Sequence, residues 1–259
     1  MSFSHKKLYV IFPAAGSGTR MHSDKNKLLM EVGGVAVIDR TLSAFRSFGE
    51  KHGVKLHGIL VVTPGKTTEW EEYMKDNDCF SFIEKTVEGG SSRTESVGNG
   101  VKALDFLPSD IRPDSDDPVF IHDAARCLID PDSILRCFEV MNSGTDVCVS
   151  GVKTKNTIKM VKPSVYSDGF DPIGVTVCPV VESTPDRSLL YEVQTPQCFR
   201  YEVLKNCYEK ASSDHIEATD DTALAEYCGY EVRIVEGSYS NIKITTPEDI
   251  PMAEALLKS

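Results

Sequence analysis

The 259-residue sequence has no apolar run that approaches the roughly 20 residues a membrane-spanning helix requires. Its opening "MSFSHKKLYVIFPAAG" lacks the pattern of a secretory signal, because the apolar segment is short and leads straight into a loop. It has no positive surplus either: 28 Lys and Arg stand against 39 Asp and Glu, for a formal net charge of −11. Such a chain repels phosphate backbones except at a local basic patch, so nucleic acid is not the expected partner. The eight cysteines show no C-x-x-C spacing and no histidine at zinc-finger spacing. Free buried thiols in a reducing cytoplasm are the expectation. Two phosphate fingerprints are also missing. Met21 stands where the dinucleotide motif needs its third glycine, and no Gly-Lys-Ser/Thr closes a Walker A loop.

Apolar residues make up 41% and charged residues 26%, ordinary for a globular chain long enough to bury a sizeable core. Leu8–Phe12 is a continuous apolar run and predicts a buried strand. Helical spacing follows over Val35–Phe48, ending before Gly49, and then a second strand at "HGILVVT". Helices are predicted over Thr67–Asp76, Ser91–Leu107 and Pro131–Met141, with strands at "FIEKTVEGG", "DPVFIHDAAR" and "DVCVSGV" between and after them. This alternation predicts an α/β fold with a mostly parallel sheet and helices on both faces. From Lys153 to Cys198 the pattern changes to short β-like pieces without a helix, which reads as a β-arm over about residues 154–190 of one domain spanning 1–259. Helices resume at Tyr201–Ala211 and Thr219–Tyr227, the latter with Thr219 as its cap, and Thr246–Lys258 closes the chain after the strand "YEVRIVEG".

Four stretches carry chemistry. In "PAAGSGTRMHSDKNK", Ala14, Ala15, Gly16 and Gly18 leave backbone N–H groups open to anionic oxygens, at the strand end where open α/β sheets bind ligands. Arg20 adds a planar fork and Lys27 a mobile charge. In "GGSSRTESV", Ser91 or Ser92 caps a helix, with Glu95 at capping-box spacing from Ser92. Capping explains those residues by itself; a ligand edge against Gly90, with Ser96 reaching phosphate, is the functional reading. In "HDAAR", Asp123 and Arg126 form either a simple ion pair or a site in which Asp123 holds a metal ion or a substrate hydroxyl. In "NIKITTPEDI", Lys243 lies within a strand-like apolar run and either faces water on an edge strand or points inward to an anion. Three strand ends carrying small and charged residues converge more specifically than any one motif. No serine or cysteine partners His22 or His122, so a hydrolase triad is unsupported.

Taken together, "PAAGSGTRM" with Lys27, "GGSSRTESV", "HDAAR", "TPQCF", "TDDTALAEYCG" and "EGSYSNIKITTPEDI" resemble the 2-C-methyl-D-erythritol 4-phosphate cytidylyltransferases, in that family's order from residue 8 to residue 255. The resemblance implies a Rossmann-like domain, a homodimer embraced by the β-arm, and Mg²⁺ carried largely by the phosphates of CTP rather than by direct protein ligands. It implies that Arg20, Lys27 and Lys243 are catalytic, and that Ala14, Ala15, Gly16, Gly18, Gly90, Ser91 and Ser96 bind the nucleotide. Asp123, Arg126, Thr195 and Thr219 would surround the polyol phosphate, with Thr157 and Arg187 reaching it from the neighbouring subunit. Asn26, Ser91 and Cys127 depart from the family's usual Pro, Asp and Pro, and Lys162–Thr184 is longer than usual. A ribitol 5-phosphate cytidylyltransferase and a non-catalytic nucleotide-binding protein are the alternatives. "HDAAR" favours methylerythritol phosphate over a pentitol phosphate.

Overall fold

A computed structural model describes residues 4–16, 26–162 and 179–258. The chain separates into two compact units, Met1–Gly151 with Gln194–Ser259, and Val152–Val193. The first holds β1 (Lys7–Ala14), β2 (Glu31–Val32), β3 (Val35–Ala36), α1 (Val37–His52), β4 (Lys55–Val62), α2 (Thr67–Met74), β5 (Ile83–Glu88), α3 (Arg93–Asp105), β6 (Pro118–Ile121) and α4 (Pro131–Asn142). β7 (Val147–Lys153) follows. After the second unit's short β8 (Met160–Val161) and β9 (Val181–Ser183) come β10 (Tyr191–Arg200), α5 (Tyr201–Ser213), α6 (Asp221–Tyr227), β11 (Val232–Glu236) and α7 (Asp249–Leu256).

Seven strands form one sheet in the order β11-β7-β10-β6-β1-β4-β5. β1 pairs in parallel with β4 and β6, β4 with β5, and β7 with β11, while β10 runs antiparallel to β6. The apolar run of β1 is continuous because both faces of the sheet are covered. Leu8, Val10 and Phe12 pack with α1, α2, α4 and α7, whereas Tyr9 and Ile11 pack with α3, α5 and α6. The result is the Rossmann-like α/β architecture expected from the alternating pattern.

Helix ends show where local signals misled. Val35 and Ala36 pair with Glu31 and Val32 as a small ribbon, so α1 starts at Val37. It runs through Gly49 and stops at Gly53, whose φ of 65° only a glycine adopts readily. The cap of α6 is Asp220, which accepts from the Ala223 N–H at 3.0 Å, rather than Thr219. The last helix begins three residues late, because Asp249 Oδ2 accepts from the N–H groups of Thr245 (2.7 Å) and Thr246 (2.8 Å) and bends the chain before the first helical turn. The strand expected over "GVTVCPVV" lies mostly outside the described residues, and only its end appears, in β9.

In the second unit β8 and β9 pair antiparallel, and Thr154 donates its N–H to Leu190 O at 3.1 Å and its hydroxyl to Glu192 Oε1 at 2.7 Å. Met160, Val161, Val181 and Leu189 are exposed there, Leu189 by 78%. Among the described residues, no helix is long and apolar enough to cross a membrane. The seven cysteines among them are free.

Candidate active site

The carboxyl-terminal ends of the parallel strands set the site. β1 delivers Ala14, buried, and Ala15, whose carbonyl accepts from Thr63 Oγ1 at 3.2 Å. Gly18 and Arg20 lie outside the described residues. The chain resumes at Asn26, whose side chain accepts from Leu28 N at 3.1 Å and caps the 3-10 turn Lys27–Leu29. Asn26 thus has a turn-forming role where a proline is usual. Lys27 Nζ donates to Ile244 O at 3.4 Å, which ties the opening loop to the chain segment carrying Lys243.

Beside it, β5 runs into the turn before α3. Gly89 donates to Val62 O at 2.7 Å, and a Cβ at Gly89 would fall 2.6 Å from Ala15 Cβ and 2.8 Å from Ser96 Oγ. Only glycine lets the two turns approach so closely. Ser96 Oγ accepts from Gly90 N (3.0 Å) and donates to Ser92 O (2.8 Å). Ser92 caps α3 by accepting from Glu95 N at 3.1 Å. The expected reciprocal bond is displaced by one residue: Glu95 Oε2 accepts from Ser91 N and Ser91 Oγ, both at 2.7 Å, and these bonds lower the Glu95 carboxyl below its ordinary range.

The loop after β6 carries the charges. His122 donates its N–H to Ile11 O at 2.9 Å, which keeps the loop alongside β1. The Asp123 N–H donates to Thr195 Oγ1 at 3.1 Å, and His122 Nε2 donates to Arg126 O at 3.3 Å, since a carbonyl only accepts. Burial lowers the His122 pKa to about 4, and the neutral ring then accepts the Thr195 hydroxyl at Nδ1 (3.1 Å). Asp123 Oδ2 lies 2.9 Å from Lys243 Nζ and 3.4 Å from Arg126 Nε, and its Oδ1 lies 3.9 Å from Arg93 Nη2. Burial would raise the Asp123 carboxyl, but the charges of Lys243, Arg93 and Arg126 override it and hold the group far below the usual carboxylate range. Burial lowers the Arg126 pKa, and Arg126 Nη1 also donates to Asn241 O at 2.7 Å.

Lys243 is therefore inward-pointing, yet not on a strand: its segment lies beside the "HDAAR" loop, with Ile244 N bonded to Ala125 O at 2.9 Å. Asp123, Arg126, Thr195 and Lys243 come together. Thr219 is exposed in the approach to α6, next to Ala218, whose N–H donates to Thr94 Oγ1 at 3.2 Å. Thr157 and Arg187 are exposed on the second unit, where Arg187 Nη1 donates to Lys155 O at 2.9 Å.

Sequence reasoning passed over Arg93, Asp221 and Asn241. Arg93 grips Asp221 with two bonds of 2.7 Å, although 128 positions separate them. Desolvation opposes the Arg93 charge, but Asp221 outweighs it and raises the guanidinium pKa. Asn241 is fully buried and donates to Thr195 O at 2.9 Å. The consecutive aspartates of "TDDTALAEY" were the available signal: Asp220 serves as the cap, which leaves Asp221 for another task.

Both inner carboxylates are already committed to cations, which does not make a protein cage of oxygens for a hard divalent ion. Among the described residues, the group with metal-holding spacing is Cys137, Cys148 and Cys198, with Sγ atoms within 4.8 Å of one another in the core.

A family model described as 2-C-methyl-D-erythritol 4-phosphate cytidylyltransferase matches residues 8–259. A protein of that name from Nostoc is 38% identical over 255 residues, covering 97% of this chain and 98% of its own. Another from Clostridium novyi is 37% identical, covering 96% of each. The crystal structure of 4-diphosphocytidyl-2C-methyl-D-erythritol synthase from Anaerococcus prevotii superposes with a TM-score of 0.74 at 29% identity, over 98% of this chain and 97% of that one. The chain belongs to the 2-C-methyl-D-erythritol 4-phosphate cytidylyltransferase family.

Proposed function

We propose that the protein transfers a cytidylyl group from CTP to 2-C-methyl-D-erythritol 4-phosphate and releases pyrophosphate, a step of isoprenoid precursor synthesis. The observation that carries this reading is the meeting of Lys243, Arg126 and Arg93 on one buried carboxylate, at strand ends lined by Ala14, Ala15 and Gly89. A phosphate oxygen of the acceptor attacks the α-phosphorus of CTP. The new P–O bond forms as the α–β bridging P–O bond breaks, and its electron pair leaves with pyrophosphate. The nucleophile is already anionic, so no base is required, and the difficulty lies in bringing two anions together. Positioning and electrostatics therefore supply the catalysis.

Lys27 and Arg20 hold the triphosphate, with the backbone of Ala14 to Gly18. Gly90, Ser91 and Ser96 face the cytidine. Lys243 and Arg126 take the acceptor phosphate, with Asp123, Thr195 and Thr219 around the polyol. A Mg²⁺ ion would arrive with the triphosphate beside Lys27 and Arg20, and would supply charge neutralisation there. The protein works as a homodimer: the exposed apolar side chains of β8 and β9 fit a second copy of this chain, and Thr157 and Arg187 serve that copy's site. The free thiols fit a reducing compartment such as the cytoplasm.

The test is pyrophosphate release from CTP with each sugar phosphate in turn. Turnover is expected with methylerythritol phosphate and Mg²⁺, and it stops when the metal is chelated. Preference for ribitol 5-phosphate would move the assignment to a pentitol-phosphate enzyme, and no turnover with either would leave a nucleotide-binding protein.

A further inference from the structure

Lys243, Arg126 and Arg93 carry three positive charges against the two negative charges of Asp123 and Asp221, and these groups differ in how tightly each is held. Lys243 is the most exposed of the three cations, at 38%, and among the described residues its ion pair is with Asp123. Arg126 is anchored by its bond to Asn241 O. Arg93 is anchored most firmly. Its two bonds of 2.7 Å to Asp221 form a bidentate fork, and Tyr208 donates to the same carboxylate at 2.5 Å. The N–H groups of Asp221 (2.7 Å) and Thr222 (3.2 Å) donate to Gln197 Oε1. Gln197 lies on β10 two residues from Thr195, which accepts from the Asp123 N–H. One frame thus fixes Arg93 relative to Asp123 and leaves Nη2 at 3.9 Å from Oδ1, too long for a hydrogen bond and close enough for an ion pair.

An acceptor phosphate held by Lys243 and Arg126 competes with Asp123 for both of its nearer cations. A carboxylate as buried as Asp123 cannot be left without a cation. We propose that Arg93 is a positioning residue that takes over the Asp123 carboxylate when the acceptor's phosphate draws Lys243 and Arg126 away, and that Asp221, Tyr208 and Gln197 hold Arg93 ready for that exchange. Arg93 also opens α3, directly after the base-side turn, so one helix N-terminus connects the nucleotide half of the site to the acceptor half. No bond is made or broken in the step; an ion pair changes partner. The inference rests on the cytidylyl-transfer reading only for the identity of the phosphate.

The experiment compares wild-type protein with Arg93→Gln and Arg93→Lys, varying each substrate separately. With Arg93→Gln, the KM for methylerythritol phosphate should rise about tenfold or more while the KM for CTP stays within about threefold. Arg93→Lys should recover part of that loss, because the charge remains without the fork. If the Gln variant does not fold, the Lys variant alone should show the acceptor-selective rise. In parallel, binding of inorganic phosphate is measured by calorimetry and should weaken by a similar factor in Arg93→Gln. Equal loss for both substrates, no recovery with Lys, or unchanged phosphate binding would overturn the proposal. An inactive wild-type protein would instead sink the cytidylyl-transfer reading, and the phosphate-binding comparison would then decide the role of Arg93.

Discussion

The two turns that meet behind the opening loop are stabilised by opposite means. Gly89–Ser96 satisfies itself: Ser92 caps the helix, Glu95 binds Ser91, and Ser96 joins Gly90 to Ser92, all through short-range hydrogen bonds. The His122–Arg126 loop depends on charges brought from far along the chain, Lys243 from the carboxyl-terminal end and Arg93 from α3. The first turn is a preformed shape and can read a neutral base edge. The second is a balance of ions that an arriving anion will rebalance. A mutation should therefore affect rate or acceptor binding in the second region and nucleotide fit or local helix stability in the first.

The largest effect should come from the charged region. Lys243→Ala removes the cation nearest Asp123, and the expected fall in kcat is roughly 10²- to 10³-fold, the scale for losing one donor that acts on the transition state. Lys27→Ala should match it from the triphosphate side. Steady-state assays with melting curves check both. Near-normal turnover in folded variants would erase the contrast, because the charged cluster would then be merely structural.

Next is acid. His122 is buried neutral, with a folded pKa of about 4 against about 6.5 in an unfolded chain. Its contribution to stability is complete above pH 6.5 and is lost as pH falls through 4, since the unfolded state gains the proton first. This amounts to roughly 3 kcal/mol. Asp123, held low by Lys243 and the two arginines, adds a loss of the same sign at still lower pH. Denaturant titrations between pH 7 and 4 should show the fall, and His122→Gln should flatten its upper part. An unchanged slope in that variant would mean the lability lies outside the "HDAAR" loop.

These residues also mark how far a sequence can be read. The apolar run of β1 and the alternation after it were sufficient for the parallel strands, because the signals are local and the inner strands β1, β4 and β6 are covered on both faces; β10, which enters the middle of the sheet antiparallel, was not legible. Lys243 stood out because an ammonium group inside an apolar run requires a partner. Arg93 did not, since an arginine one residue after a helix cap looks solvated, and its partner Asp221 lies 128 positions away. Gly49 looked like a helix stop, but only backbone geometry distinguishes it from Gly53, where φ is positive. Local chemistry is written in the sequence, whereas pairing across the sheet's end appears only once the chain is folded.

A smaller effect tests the preformed turn. Gly89→Val places side-chain atoms against Ala15 and Ser96, so one turn must give way. The expected outcome is a rise of roughly tenfold in the KM for CTP, equivalent to about 1.4 kcal/mol, with the KM for the acceptor nearly unchanged. If both rise together, the two regions are mechanically coupled and the contrast between them is too sharp.

The smallest effect isolates the cap. Ser92→Ala removes the acceptor for the Glu95 N–H, and loss of such a cap costs about 1 kcal/mol of stability. The turn keeps its other ties, since Glu95 still accepts from Ser91 and Ser96 Oγ still accepts from Gly90. A thermal melt should therefore show a small drop, while the KM for methylerythritol phosphate stays at the wild-type value. If that KM instead shifted with Ser92→Ala, the first turn of α3 would be transmitting strain to Arg93 one residue on. The ionic half of the site would then depend on the hydrogen-bonded half for the placement of one of its cations.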